Sequence, residues 1–151
     1  MDIYTDGGAI GNPGPGGYGA ILRANGAERE LSGGYRLTTN NRMEIMAAIV
    51  GLEALKKPAR VTIHTDSQYL ANAINLGWAR KWRAQGWMRN RGEPALNPDL
   101  WERLLALLEC HEVRFQWVRG HAGHPENERA DRLAVEAAKQ KGLPPDEGYR
   151  R

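Results

Sequence analysis

The chain has 151 residues, a net charge of +3 and a single cysteine, and this length suits one globular domain with its own core. One cysteine, Cys110, excludes an intrachain disulfide, and no apolar run approaches the length of a membrane span. The first residues, MDIYTDGG, lack the basic and apolar regions of a secretory signal, so we expect a cytoplasmic protein without membrane contact.

The first part of the chain predicts three strands followed by a helix. The strands are expected at residues 2–5, 18–24 and 28–35, and Asn25-Gly26 between the last two is typical of a tight hairpin turn. Residues 41–57 are rich in Ala, Leu and Met and predict a helix that ends before Pro58.

The remaining chain alternates between strand and helix patterns. Strands are predicted at 60–65 and 113–118, and helices from 66 to about 75, from 98 to about 109, and up to about 141. A strand meander followed by β-α units predicts an α/β fold with a mixed β-sheet flanked by helices. We expect residues 1–142 to form this single domain and residues 143–151 to form a loose tail.

The excess positive charge is concentrated in the segment 78–92, which we call the handle. It holds five basic residues and no acidic residue, whereas the rest of the chain holds 16 basic and 18 acidic residues. The basic residues are Arg80, Lys81, Arg83, Arg89 and Arg91. Such a cluster indicates a polyanionic partner.

The sequence GPGGYG at 14–19 matches the dinucleotide-binding pattern G-x-G-x-x-G. That motif requires a helix directly after it, because the helix N-terminus holds the pyrophosphate. Here a strand and a hairpin turn follow instead. We therefore predict no nucleotide cofactor and interpret the glycine run as a connection between strands.

Four acidic residues lie where structure alone does not require an acid. Asp6 and Asp66 each follow a predicted strand, at the edge where open α/β sheets bind their ligands. Glu44 and Asp131 share a helix face with small apolar residues, which predicts that both point inward. Each also has an ordinary interpretation: Asp6 as a turn residue, Asp66 as a helix cap, Glu44 as the partner of Asn41 in a capping box, and Asp131 as one member of a buried pair.

Convergence of these four carboxylates would require a counter-charge, and hard divalent cations such as Mg²⁺ supply one. Two such ions can assist both the attacking and the leaving oxygen of a phosphoryl transfer. His121 lies ten residues before Asp131 and is suited to proton transfer or product release, whereas His124 is interpreted as a solvated loop residue. A zinc site built from Cys110, His111, His121 and His124 is the alternative, although it lacks a recognised ligand spacing.

Long motifs along nearly the whole chain resemble the type 1 ribonuclease H family, bacterial ribonuclease HI. They include TDG, GNPGPGGYGAIL, TTNNRMEIMAAIVGLEAL, TDSQY, NPDLW and WVRGHAGHPENERAD, together with the tryptophans of the handle. The resemblance implies a five-stranded ribonuclease H fold in a monomeric enzyme. It also implies two-metal endonucleolytic hydrolysis of the RNA strand of RNA–DNA hybrids, which leaves 5′-phosphate and 3′-hydroxyl ends.

The resemblance assigns roles residue by residue. It implies that Asp6, Glu44, Asp66 and Asp131 bind two Mg²⁺ ions, with Mn²⁺ as a substitute, and that His121 is the catalytic loop histidine. It places nucleic-acid contacts at two sets of positions and in the handle. The RNA-strand set is Gly11, Asn12, Asn41 and Gln68; the DNA-phosphate set is Thr39 and Asn97; the handle set is Trp78, Arg80, Lys81, Trp82 and Arg83.

Three alternatives remain open at this point. A DNA junction resolvase could share the fold, a hybrid-binding module could lack activity, and a structural zinc domain could use the histidines. We expect the tryptophans Trp78, Trp82 and Trp87 to serve mainly in packing the handle and the basic residues to attract phosphate. Missing side chains in the glycine run are expected to let a nucleic-acid backbone approach.

Overall fold

A computed structural model of the protein shows an α/β fold whose five-stranded mixed sheet has the order β3-β2-β1-β4-β5. The structure describes residues 1–89, 92–119 and 124–149. The strands are β1 (Asp2–Ala9), β2 (Gly14–Ala24), β3 (Ala27–Thr38), β4 (Arg60–Thr65) and β5 (Glu112–Trp117). The helices are α1 (Asn40–Glu53), α2 (Gln68–Asn75), α3 (Trp78–Ala84), α4 (Pro98–Cys110) and α5 (Pro125–Ala138). The predicted fold class is confirmed.

Short connections join the antiparallel strands, whereas longer helical crossovers join the parallel strands. β1, β2 and β3 form an antiparallel meander, and the predicted hairpin turn is confirmed, since Ala24 pairs with Ala27 around Asn25 and Gly26. Both turn residues have positive φ angles, of 53° and 80°. β4 then joins β1 in parallel, and β5 joins β4 in parallel, each after a helical crossover.

The glycine run is strand rather than connection, which corrects our interpretation of GPGGYG. β1 continues to Ala9 and β2 begins at Gly14, and residues 16–19 pair with β1 on one side and with β3 on the other. Asp6 therefore lies inside β1, opposite Gly19, rather than after the strand. Extended pairing along the run satisfies its backbone groups, which a flexible connection would leave to water.

The missing side chains of this region make room for helices. A Cβ on Gly7 would lie 2.6 Å from the backbone nitrogen of Glu44 in α1, and a Cβ on Gly19 would lie 2.5 Å from the carbonyl oxygen of Ala130 in α5. Gly7 pairs with Tyr18, and side chains alternate along a strand, so Gly7 and Gly19 face opposite sides of the sheet. The sheet thus lies between α1 and α5, and both helices approach it closely.

The hydrophobic core lies on the α1 side of the sheet. Ile3, Ile49 and Ile63 are fully buried there, and Trp101 of α4 is buried beside them. The handle's Trp82 packs against Trp101 with ring centroids 6.2 Å apart, so the handle packs onto the main core as well as onto itself. No helix in the described ranges is long and apolar enough to cross a membrane.

β1, β2 and β3 are longer than predicted, and the end of α1 and the tail also differ from expectation. α1 ends at Glu53 rather than near residue 57, since the residues before Pro58 are disfavoured in helical conformation. The tail is held in place through residue 149 rather than loose, because Asp146 pairs with the buried Arg42 and the carbonyl of Pro144 accepts from the backbone nitrogen of Arg36.

Candidate active site

The parallel register of β1 and β4 brings two of the predicted carboxylates together. Thr5 pairs with Thr65, so the next residue on each strand, Asp6 and Asp66, comes at the same level. Gly7 donates its backbone N–H to Asp6 Oδ1 at 2.9 Å and fixes that carboxyl. A slip of one residue would send one of the two side chains to the other face of the sheet.

Glu44 completes a group of three. Oxygen atoms of Asp6, Glu44 and Asp66 all lie within 4.8 Å of one another. The first turns of α1 bring Glu44 to this place because Gly7 has no Cβ to keep the helix away. Glu44 is only 7% exposed, and its buried Oε1 has no hydrogen-bond partner among the described residues.

The electrostatics of the group oppose the ionised state. Burial, followed by the charge of Asp66, raises the pKa of Asp6 from 3.8 to about 8. Burial, followed by the charges of Asp6 and Asp66, raises the pKa of Glu44 well above 4.5. Three clustered carboxyl groups at neutral pH therefore need either protons or a cation.

Asp131 borders the same site from α5. Asp131 contributes to raising the pKa of Asp6, after burial and the charge of Asp66. It also lines a cavity of about 190 Å³ together with Gly7 and Gly8 of β1. Asp131 is exposed and lies outside the group of three, so the structure brings the fourth predicted carboxylate to the rim rather than into the centre.

The N-terminal turns of α5 are fixed by contacts that the sequence did not reveal. Asn127 Nδ2 donates to the carbonyl of His64 in β4 at 3.1 Å. Arg129 pairs with Glu28 at 2.8 Å and with Glu30 at 2.7 Å, both in β3. Asn127 and Arg129 lie four and two residues before Asp131 on α5, so their contacts help to set the position of its carboxyl relative to Asp6.

The ordinary interpretations of two carboxylates are wrong. α1 is capped by Thr39, whose Oγ1 accepts from the backbone nitrogen of Arg42 at 3.2 Å, so Asn41 and Glu44 form no capping box. α2 is capped by Ser67, whose Oγ accepts from Leu70 at 3.0 Å. A cap therefore explains neither Glu44 nor Asp66.

The donor set fits a hard divalent cation. All the groups are carboxylate oxygens, which Mg²⁺ prefers, and the unpartnered Oε1 of Glu44 gains a partner when a cation binds. The same cation offsets the burial and the repulsion by Asp66 that raise the pKa of Asp6.

The zinc alternative finds no support among the described residues, where three ligand-type side chains converge only at Asp6, Glu44 and Asp66. His111 Nδ1 instead accepts from the backbone nitrogen of Ala59 at 3.1 Å. His121, which we predict to be catalytic, lies outside the described residues.

The predicted RNA-strand residues lie close to these carboxylates along the chain. Gly11 has φ +82° in the β1–β2 connection, and the next residue, Asn12, accepts through Oδ1 from the backbone nitrogen of Asn40 at 2.9 Å. Asn41 is exposed in the first turn of α1, and Gln68 is the exposed first residue of α2, two positions after Asp66.

Asn40 was missed by sequence reasoning, although it joins the β1–β2 connection to α1. Its Oδ1 accepts from the backbone nitrogen of Ala9 at 2.7 Å while its own nitrogen donates to Asn12. Its place directly after a Thr-Thr pair and before a helix was the signal available, since short polar residues concentrate at helix starts.

The predicted DNA-phosphate pair is bridged by a buried arginine that the sequence also did not reveal. Arg42 donates its backbone nitrogen to Thr39 Oγ1 and its Nη1 to Asn97 Oδ1, at 3.2 and 3.4 Å. Asn97 directly precedes α4 with φ +60°, and its side chain makes no capping hydrogen bond. Arg42 occupies the apolar stripe formed with Ile45, Met46 and Ile49, and that position was the signal for its burial.

The basic residues of the handle differ in whether they form ion pairs. Among the described residues, Arg83 pairs with Glu109 and Arg89 with Glu93, each at 3.5 Å, whereas no ion pair is formed by Arg80 or Lys81. Trp78, at 39% exposed, is the handle tryptophan left open to solvent, while Trp82 and Trp87 pack against the core. Arg91 lies outside the described residues.

The fold and the cluster of acids are those of a carboxylate-dependent nuclease of the ribonuclease H type, and the comparisons agree. The RNase H family profile matches residues 1–139. A ribonuclease H from Desulforamulus reducens is 67% identical over 146 residues, which cover 97% of this chain and 92% of that protein. The chain belongs to the ribonuclease H family.

Solved structures extend the comparison to the fold. LC9-RNase H1, described as a type 1 RNase H with the type 2 active-site motif, matches with a TM-score of 0.78 and 35% identity over 91% of this chain and 71% of that one. LC11-RNase H1, solved in complex with an RNA/DNA hybrid, matches with a TM-score of 0.68 and 28% identity over 91% of this chain and 95% of that one.

Proposed function

We propose that this protein is a metal-dependent endoribonuclease that hydrolyses the RNA strand of RNA–DNA hybrids and leaves 5′-phosphate and 3′-hydroxyl ends. The observation that carries the proposal is the convergence of Asp6, Glu44 and Asp66 within 4.8 Å, with a buried, unpartnered oxygen on Glu44. The structure of LC11-RNase H1 with an RNA/DNA hybrid supports the choice of substrate.

The carboxylates have a defined task in this proposal. Asp6, Glu44, Asp66 and Asp131 hold two Mg²⁺ ions when substrate is bound, and Mn²⁺ substitutes for Mg²⁺. The ions, when bound, polarise the scissile phosphate and assist both attack by water and departure of the 3′-oxygen. The protein fixes the oxygen ligands through strand register and helix packing, so little reorganisation remains for the reaction.

His121 is proposed to move a proton or to help product leave the site. An imidazole with a pKa near neutrality exchanges protons at the pH of the cytoplasm, which carboxylates held by cations cannot do. His121→Ala is therefore expected to lower kcat more than it raises KM for the hybrid.

Substrate selection is divided between the two strands. Gly11, Asn12, Asn41 and Gln68 are proposed to contact the RNA strand, where short amides and bare backbone can meet a 2′-hydroxyl group. The DNA-phosphate set, Thr39 and Asn97, is proposed to hold the other strand. The short distance along the chain between the RNA-strand residues and Asp6 and Asp66 supports this division.

The handle is proposed to attract the hybrid electrostatically and to supply contacts from Trp78, Arg80, Lys81, Trp82 and Arg83. The five basic residues of a segment that contains no acidic residue make binding strongly dependent on salt. We further propose that residues 1–142 form one catalytic domain, onto which residues 143–149 pack through Pro144 and Asp146. The enzyme is proposed to be a monomer in the cytoplasm.

A labelled RNA–DNA hybrid, incubated with and without EDTA, tests the function. We expect cleavage only with Mg²⁺, internal cuts in the RNA strand, and ends that carry 5′-phosphate and 3′-hydroxyl groups. Asp6→Asn and Glu44→Gln are expected to abolish cleavage while hybrid binding persists. Glu102→Gln, which changes an exposed acid on α4, is the matched control.

The cleavage assay, together with a measurement of zinc content, separates the alternatives. Cutting of junction DNA in preference to the hybrid would establish a resolvase instead. Binding of the hybrid without any cleavage would leave a binding module. Stoichiometric zinc in the purified protein would support a structural zinc domain.

A further inference from the structure

Arg42 is a fully engaged buried cation beside the proposed DNA-phosphate pair. Its side chain is 2% exposed, and its five guanidinium N–H groups are matched by five hydrogen bonds. Two go to Asp99 at 2.9 and 2.7 Å, two go to Asp146 at 2.7 and 2.9 Å, and the fifth goes to Asn97 Oδ1 at 3.4 Å. Two carboxylates neutralise its charge, so Arg42 is not a free cation for a phosphate.

The contacts of Arg42 instead fix the orientation of its neighbours. Because Asn97 Oδ1 accepts from Arg42, the amide nitrogen of Asn97 must point away, where it donates to the hydroxyl of Tyr69 at 3.3 Å. An amide nitrogen has two hydrogens, so one remains for a phosphate oxygen. On the other side, the backbone nitrogen of Arg42 donates to Thr39 Oγ1, which leaves the hydroxyl hydrogen of Thr39 to donate.

We propose that Arg42 is a positioning residue for the DNA strand and that Asp146 in the segment 143–149 is its anchor. This inference rests on the proposed function and deepens it, since it gives a segment that is distant in sequence from the site a part in substrate binding. Asp146 acts through Arg42 on Asn97 without touching the substrate.

Asp146 is the stronger of the two anchors. Its side chain is 9% exposed, whereas that of Asp99 is 41% exposed. Its Oδ2 also accepts from Thr38 Oγ1 at 2.7 Å, so the carboxyl is held on two sides. Removing its charge leaves two buried donors of Arg42 without an ionic partner, and the guanidinium then loses the geometry that orients Asn97.

Steady-state cleavage of a hybrid provides the first test, at a temperature where circular dichroism shows every variant folded. Asp146→Asn is expected to raise KM about 5- to 10-fold while kcat stays within about 2-fold, since it changes ground-state binding of the strand that is not cut. Glu53→Gln is the control: it breaks the 3.0 Å ion pair between Glu53 and Arg103, which also joins α1 to α4 but does not contact Asn97. The control is expected to leave KM unchanged.

A double-mutant cycle shows whether the effect passes through Asn97. In an Asn97→Ala background, Asp146→Asn should raise KM less than about 2-fold, because the residue to be oriented is gone. An equal rise in both backgrounds, or a fall in kcat at unchanged KM, would overturn the inference. If Asp146→Asn does not fold, Arg42→Lys takes its place in the cycle, since it keeps the charge but cannot make the forked contacts.

The outcomes distinguish this inference from the function on which it rests. A wild-type protein that fails to cleave the hybrid would refute the proposed function. Intact wild-type cleavage with equal KM values for wild type and Asp146→Asn would refute only the role of Arg42 and Asp146.

Discussion

Replacing Asp6 with Asn should stabilise the metal-free protein, because the fold holds this carboxyl in a place that disfavours its charge. Asp6 has a pKa of about 8 in the folded protein and 3.8 ordinarily. Between these values the unfolded chain has released a proton that the folded protein still binds, so stability falls as pH rises from about 4 to about 8. Below pH 4 both states are protonated, and the penalty is absent.

The size of the effect follows from the same two values. At pH 7.5 the shift corresponds to at most about 5 kcal/mol, at roughly 1.4 kcal/mol for each pKa unit between 3.8 and that pH. Relaxation of the site, partial exposure of Asp6 and sharing of the proton with Glu44 reduce this value. We therefore expect Asp6→Asn to raise the free energy of unfolding by about 1–3 kcal/mol in EDTA.

Urea unfolding in EDTA at pH 7.5 and pH 4 measures the difference, and Glu102→Gln serves as the control because this exposed charge should change stability by less than about 0.5 kcal/mol. Mg²⁺ should reduce the advantage of Asp6→Asn, because the cation stabilises the folded wild type by binding at these carboxylates. An advantage of equal size at both pH values, or a variant less stable than wild type in EDTA, would refute the electrostatic explanation.

Three further predictions concern packing, charge and anchoring. Gly17→Ala should destabilise the fold by about 1–3 kcal/mol in urea unfolding, because the new Cβ would lie 2.7 Å from the backbone nitrogen of Ala138; Gly8→Ala, whose Cβ meets nothing closer than 3.7 Å, should not. Lys81→Gln should reduce the slope of the logarithm of the hybrid-binding constant against the logarithm of the salt concentration by about 1. An equal reduction by Arg89→Gln would show that the ion pair of Arg89 is unimportant. Asn127→Ala should weaken Mg²⁺ binding in calorimetry, since it frees the end of α5 that carries Asp131; unchanged affinity would show that the helix needs no such anchor.

The sequence was sufficient for the parts of the site that depend on local pattern. The end of β4 marked Asp66, and helical periodicity marked Glu44 as inward-facing, because both signals need only a few neighbouring residues. Asp6 was also singled out as a strand-end residue, although β1 continues past it to Ala9. The family motifs supplied the five-stranded mixed sheet, and the order of its strands came from the structure. The exact register that places Asp6 and Asp66 at the same level on neighbouring strands was shown only by the structure.

Contacts between distant segments explain what sequence reasoning did not find. The apolar stripe of α1 hints that Arg42 is buried, but its partners Asp99 and Asp146 lie 57 and 104 residues away and only the structure shows them. The tail was expected to be loose because it is a chain terminus, whereas Asp146 binds Arg42 and Thr38, and the carbonyl of Pro144 accepts from the backbone nitrogen of Arg36.

The glycine run is a second feature that the sequence alone did not explain. Its composition is typical of loops, and the pattern of Gly17 and Gly19 on one strand face becomes meaningful only when α5 is seen to lie against them. Propensity opposed a strand here, and close packing of the helix decided the outcome.

The parallel pairing of β1 and β4 also affects when the site can form during folding. Asp6 and Asp66 become neighbours only after the chain between them has closed, with the β2–β3 hairpin and α1 inside the loop. Asp131 arrives from near the other end of the chain. Long-range closure of this kind has a high entropic cost, so the repelling carboxylates meet when most of the favourable packing is already in place. Repulsion in the acidic site therefore destabilises the native state but has little effect on the earlier stages of folding. Bound cations should accordingly slow unfolding more than they speed folding.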